Sequence, residues 1–235
     1  MIVERPSASR GQGPSTADGL DRRRTFSGGA YYDPQWMGFG ALRVLNEDRL
    51  APGAGLARCR RANMEVLTYV LSGALAHRDS SGAERIVGAG GLLWLGTGHG
   101  MQFHHSNASH AEPVHFLQAW LQPDRVNAEP ASGIHEAAPR DGWHLLASPD
   151  GDDGSVAIRQ DARLYRSELS PGSSVVRSLD TSRRYWLHVA TGAAKVDGRD
   201  LSAGDGLGLS AESGQLALAG AGTTRVQLLW FDLPA

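Results

Sequence analysis

The 235-residue chain reads as an all-β protein built from two related barrels in tandem. Three observations carry that reading. Thirty glycines stand against an aromatic content of 7%, the composition of many short strands joined by tight turns, because glycine supplies the positive φ that turns require. The apolar runs are of strand length and are bounded by Gly, Pro, Asn or Asp, with no long amphipathic helix between them. Segments of the first half also recur in the second at a nearly constant offset.

Taken in order, residues 5–24 are rich in Ser, Gly, Arg and Asp and are expected to form a mobile or surface-draped N-terminal arm, with regular structure starting near Phe26. Strands are expected around 41–45, 66–71, 92–95 and 114–121. The second half repeats the style at 156–158, 173–176, 185–189, 206–209 and 226–231. Glu129 and Pro130, followed by a polar, Ala-rich stretch to Arg140, read as a linker, which places one domain at 1–130 and the other at 131–235.

Composition also excludes function classes. Lys plus Arg number 23 and Asp plus Glu 25, for a net charge of -2, so no basic field is present to hold nucleic acid electrostatically. The single cysteine, Cys59, builds neither a disulfide framework nor a zinc ribbon and points to a reducing, cytoplasmic setting. Residues 1–10 carry Glu4, Arg5 and Arg10 with no apolar run behind them, so neither a secretory nor a membrane segment is expected there.

The repeat is specific. Pro52-Gly53 recurs as Pro171-Gly172, and Tyr69-Val-Leu-Ser-Gly73-Ala as His188-Val-Ala-Thr-Gly192-Ala, both 119 residues later. The segment from Val87 to Leu95 recurs from Leu201 to Leu209 at an offset of 114. Each copy closes on a Trp-containing strand, at Trp120 and Trp230. A unit of this size with such turns fits a double-sheet jelly-roll barrel of the cupin type. Cupin barrels bind metal through a Gly, five residues, His-x-His, three or four residues, then Glu, a spacing that converges side chains because alternate strand residues share a face. Here Gly53 is followed at those stations by Cys59, Arg61 and Glu65. In the second motif, Gly100, Phe103 and Asn107 meet the spacing, with Phe103 where an imidazole belongs.

The stretches Tyr31-Tyr-Asp-Pro-Gln-Trp-Met-Gly-Phe, Leu42-Arg-Val-Leu-Asn-Glu-Asp, Met64-Glu-Val-Leu-Thr-Tyr-Val-Leu-Ser-Gly and His77-Arg-Asp-Ser, with the Asp232-Leu-Pro ending, resemble the pirin family of bicupins. The resemblance implies two cupin barrels and a mononuclear metal, usually iron, held by three His and one Glu in the first barrel alone. It also implies quercetin 2,3-dioxygenase activity in some members and transcription-cofactor roles in some eukaryotic ones. Carried over residue by residue, the His stations fall on Cys59, Arg61 and Phe103 and the Glu station on His105. None of the four keeps its family residue. Arg61 puts a fixed positive charge where the cation would sit, and at 4 Å with an effective dielectric near 20 the repulsion is about 4 kcal/mol per unit charge. In the second barrel the same transfer gives Ser178, Asp180 and Arg184, then Ala217 and Ala219, so neither barrel is expected to hold a metal.

Two substitutes for the metal follow. Arg61 and Glu65 on one inward face would form an internal ion pair, with Asn63 or His105 meeting the remaining hydrogen bonds. Alternatively Arg61, in a cavity lined by Met64, Phe103 and aliphatic groups, would hold the carboxylate or enolate of a small ligand, with Glu65 and His105 at the same site. Cys59, flanked by Arg58, Arg60 and Arg61, is either a small buried hydrophobe or a peroxide-sensitive thiol. His99, His104, His105 and His110 read as surface imidazoles, and the segment from His77 to Gly82 as a turn. The expected function is a catalytically silent bicupin, without cofactor, that binds a small organic or anionic ligand or a protein partner in a regulatory or stress setting. The alternatives are a quercetin 2,3-dioxygenase-type enzyme using iron or another divalent metal, and a redox sensor based on Cys59.

Overall fold

A computed structural model describes residues 1–13, 19–136 and 142–235. It is almost wholly strand, and its helical segments among the described residues are two short 3-10 turns, Ser7–Ser9 and Asp152–Gly154. The chain divides into two compact units, Gly11–Ala138 with Val156–Gln160, and Met1–Arg10 with Pro139–Ser155 and Asp161–Ala235.

The first unit is a barrel of two antiparallel sheets. One orders Ala131–His135, Leu92–Gly96, Glu65–Ser72, Val114–Leu121, Leu42–Leu50, Leu20–Arg24 and Gly11–Gln12; the other orders Cys59–Arg61, Met101–Asn107, Ala74–Asp79 and Glu84–Gly88. Their inner faces close over Val66, Val70, Leu75, Leu93, Met101, Phe103 and Phe116. In the second unit, Gly206–Ser210, Arg183–Thr191, Val226–Pro234 and Arg163–Leu169 stand in the same order as their counterparts. They face a sheet of Ser174–Leu179, Gly214–Ala221, Ala193–Val196 and Arg199–Ser202. Each unit is thus a cupin barrel, and the sequence repeat is a repeat of strands.

Three differences from the sequence reading have physical causes. The expected arm is partly structural: Ile2–Arg5 pairs with Gly206 to Leu209 of the second barrel, and Leu20–Arg24 pairs with Leu42–Leu50. Polar strands form at sheet edges because ladder hydrogen bonds need no apolar side chains, and Arg22 is answered there by Asp48. Residues 14–18 of that arm lie outside the described residues. The strand Ala131–His135, past the expected boundary at 130, pairs with Leu92–Gly96 and packs Ile134 against the first core; the rest of the expected linker falls largely on 137–141, outside the described residues.

The third difference is register. In the first barrel Phe103 lies opposite Cys59, and His105 opposite His77. In the second, Val196, 119 residues after His77, lies opposite Leu218, and Leu216 lies opposite Arg177. The counterparts of Cys59, Phe103 and His105 are therefore Arg177, Leu216 and Leu218, each one position before the expected Ser178, Ala217 and Ala219. One residue more between Leu179 and Arg184 than between Arg61 and Glu65 shifts Arg177, one residue fewer in the turn before Gly214 than in the turn before Met101 shifts Leu216 and Leu218, and a one-residue slip reverses every side chain. Leu216 and Leu218 are buried while Ala217 and Ala219 are not.

Asn107 closes the first barrel's end by donating from Nδ2 to the carbonyls of Leu50, Ala51 and Glu112 at 3.2, 3.1 and 2.8 Å, while its Oδ1 accepts from the Ser109 N–H at 2.9 Å. It is buried. An Asn107→Ala variant is expected to lose about 2 to 4 kcal/mol of stability, because buried carbonyls lose their donors; urea unfolding checks this.

Candidate functional site

Strand alternation turns Met101, Phe103, His105 and Asn107 toward the interior of the first barrel. Cys59, Arg61, Phe103 and His105 share the wall of one cavity of about 280 Å³, which Leu20, Arg22, Leu56, Gln118 and Trp120 also line. The four stations picked out in the sequence are thus brought together. Glu65 and Met64 are not on that wall.

The expected Arg61–Glu65 pair does not form. Glu65 is buried and its Oε2 accepts from the Trp94 indole at 2.7 Å and from the Arg159 backbone N–H at 3.0 Å. Burial pushes its carboxyl above the ordinary range against those two bonds. Its role is to fasten the segment Val156–Gln160 to the first barrel. Met64 packs on the core and exchanges hydrogen bonds with Thr97 through its backbone. Asn63 bonds to Asn127 rather than to either charge. Arg61 is exposed, and its guanidinium lies 5.0 Å over the Trp120 ring, with Nη1 donating to the Arg60 carbonyl at 2.8 Å. The alternation that puts Glu65 on the other side of the sheet from this cavity begins after an irregular stretch at 62–64, where Asn63 has φ 54°, so spacing counted through it misleads.

The interior behind the cavity is a polar chain the sequence did not reveal. Trp120 Nε1 donates to Gln118 Oε1 at 2.9 Å. An indole N–H only donates, so the Gln118 amide nitrogen faces the other way, toward Thr68 Oγ1 and His105 Nδ1, both at 3.3 Å. His105 Nδ1 is then an acceptor, and its proton sits on Nε2, a buried atom with no partner among the described residues. Burial, reinforced by His77 and His104, depresses the His105 pKa to about 3, so the imidazole is neutral. The neighbouring His77 ring lies 5.1 Å away and bonds to Asp79 at 3.0 Å. Burial lowers the His77 pKa despite that partner. Burial opposes the Asp79 charge, but bonds from Ser81 and His77 hold its carboxyl below the ordinary range.

His77 and Asp79 therefore belong to the strand Ala74–Asp79, and only the residues after Asp79 form the turn read from the sequence. The alternation Leu75, His77, Asp79 was the available signal. His105 is likewise buried rather than a surface imidazole. The cavity's charge is positive. Arg22 is held bidentate by Asp48, both bonds at 2.6 Å, and the pairing keeps its pKa above the ordinary range despite burial. Arg58 and Arg61 have no carboxylate within ion-pair distance among the described residues. At Cys59, burial pushes the thiol up and outweighs the pull of Arg61 and Arg22.

The comparison with known proteins assigns this architecture. A protein of Escherichia coli K12 described as quercetin 2,3-dioxygenase is 35% identical over 234 residues, spanning 100% of this chain and 99% of its own. The chain belongs to the pirin family. The family description "Pirin" matches residues 5–121, and "Quercetinase C-terminal cupin domain" matches 145–233. A pirin-like protein of Caulobacter vibrioides is 33% identical over 83% of this chain and 85% of its own. Among solved structures, Escherichia coli YhhW superposes with a TM-score of 0.94 at 35% identity, covering 100% of this chain and 98% of that one. A second YhhW structure, in complex with nickel(II), gives 0.92 at 35% identity and covers 100% and 99%. This pirin also has no helix among its described residues long and apolar enough to cross a membrane.

Neutral, buried His105 carries a pH signature. Its folded pKa lies below the unfolded value of 6.5, so the unfolded chain binds more protons between the two, and stability falls as pH drops below about 6.5 and is flat above it. Between pH 8 and pH 5 the expected loss from His105 alone is about 2 kcal/mol, read by urea unfolding, and His105→Phe should remove that part of the slope. Nitrogen-15 NMR should show an Nε2–H tautomer throughout; an imidazole titrating near pH 6 would contradict the assignment.

Proposed function

We propose that this pirin-family bicupin binds a small organic anion in its first barrel without a metal ion, in a cytoplasmic, regulatory or stress-related role rather than as an oxygenase. The observation that carries this is Arg61, a guanidinium laid on Trp120 at the wall of the 280 Å³ cavity with no carboxylate partner among the described residues. A planar, always charged fork over an apolar wall suits a carboxylate or enolate, with the ligand's body against Phe103, Leu56 and Trp120. Arg58 adds a second cation at the same wall.

The donor set argues against the metal that the family implies. Of the four stations, Phe103 offers no donor and Arg61 repels a cation. Cys59 is held as a thiol by burial, and His105 spends its Nδ1 lone pair on Gln118. No group of three or more His, Cys, Asp or Glu among the described residues is placed to hold a metal ion. A first-row metal needs several such donors at once.

A second reading is a metal-dependent quercetin 2,3-dioxygenase, favoured by the name of the Escherichia coli relative and by the nickel complex of YhhW. Elemental analysis of protein grown with iron, nickel, zinc and copper separates the two. Substoichiometric metal and no consumption of quercetin are expected, and one tightly bound ion per chain would overturn the first reading. Restoring Cys59→His, Arg61→His, Phe103→His and His105→Glu together should create one metal site. The redox reading is disfavoured by the raised Cys59 pKa, since the thiolate is the peroxide-reactive form; intact mass after mild peroxide should show no Cys59-dependent gain.

Anion binding is tested by calorimetry with benzoate and acetate as probes. Arg61→Gln should weaken benzoate binding at least about tenfold, the worth of a charge-assisted bond, while leaving unfolding nearly unchanged because Arg61 is exposed. Equal affinity in both proteins would refute the assignment of Arg61.

A further inference from the structure

The register that brings Arg177 inward in the second barrel places it in an aromatic box. Its guanidinium carbon lies 3.8 Å over the Tyr165 ring, 4.9 Å over Trp143 and 5.6 Å over Trp230. Tyr185 packs on Trp230 at 5.1 Å, and Trp143 on Trp230 at 6.1 Å, so the walls support one another. Trp230 and Tyr185 are buried, while Tyr165 and Trp143 are partly so.

No carboxylate lies within ion-pair distance of Arg177 among the described residues. The hydroxyl of Tyr165 is the first ionisable group to act on it, and the carboxylate of Asp232 acts at longer range, being bonded to Arg183 at 2.7 Å. Burial presses the half-buried guanidinium's pKa below its ordinary value against the pull of Tyr165, as expected of a cation that has lost part of its hydration. A charge in that position is normally paired with an acid. Here three ring faces, each negative at its centre and attractive to a soft cation, surround it together with the Tyr165 hydroxyl.

We propose that this box is a cation-binding site in the second barrel, that Arg177 occupies it as a tethered ligand, and that methylated ammonium ions bind there once the tether is shortened. The chemistry selects the class. A box of π faces with no carboxylate at ion-pair distance among the described residues favours a large, weakly hydrated cation over sodium or potassium, whose water it does not replace. A tetramethylammonium ion has no N–H and asks for no acceptor, which matches walls made of rings. The site is independent of the anion reading of the first barrel, since it rests on other residues in the other unit.

The experiment compares wild type, Arg177→Ala and Arg177→Met, each first shown folded by near-UV circular dichroism. Tetramethylammonium chloride is titrated against sodium chloride at equal ionic strength, with tryptophan fluorescence as the readout. Arg177→Ala should respond saturably at concentrations about 100-fold below any response of wild type, because wild type must first expel its own side chain. Arg177→Met refills the box with a neutral chain and should behave as wild type. A folded Arg177→Ala protein that does not respond, that responds equally to sodium, or that matches wild type overturns the proposal. If Arg177→Ala does not fold alone, recovery of its near-UV signal with tetramethylammonium but not sodium supports the site, and no recovery counts against it.

Discussion

The interior of the first barrel depends on the side-chain amide of Gln118. Trp120 takes its oxygen, and that one bond settles the rest: the nitrogen must face Thr68 and His105, and His105 must accept at Nδ1. A buried imidazole held in this way is neutral and has its lone pair spent. The same bond fixes the indole, whose face then receives Arg61. A glutamine has both a donor and an acceptor, so it joins groups with opposite needs without bringing a charge into a low-dielectric space, where an unpaired charge would be costly.

Each barrel of this pirin carries an arginine at the wall that holds the first barrel's four stations or their counterparts in the second. In the first barrel it is Arg61, exposed, over one indole at the cavity wall. In the second it is Arg177, half-buried among three rings at the position equivalent to Cys59. The difference in burial separates their chemistry. An exposed guanidinium with free N–H groups offers itself to an anion, whereas one enclosed by ring faces has already found its counterpart. A fold positions such stations, and the chemistry available at them depends on the residues that stand there.

Much of this was legible before any coordinates. The repeat mapped onto corresponding strands, though one residue out of phase at Arg177, Leu216 and Leu218, and the stations Cys59, Arg61, Phe103 and His105, carried over from the family resemblance, share one wall because alternation survives within each of their two strands. Legibility ended wherever the chain left the strand. Glu65 follows an irregular stretch and faces Trp94 and Arg159. His77 looked like part of a turn because Asp79, Ser81 and Gly82 are turn residues, although the two residues before the bend still alternate inward.

The all-β class, the tandem cupin barrels and the family were legible in the amino-acid order alone, since periodicity, turn residues and motif spacing are local, whereas the short polar edge strands were not. Which face each side chain took was decided only in three dimensions. A stretch one residue longer before Arg184 moved Arg177 into the second barrel and Ser178 out of it, and the partner of Glu65 came from 94 residues further along. Local sequence specifies alternation but not its phase after a loop, and the phase is set by which pairing buries the apolar side and answers the buried polar groups.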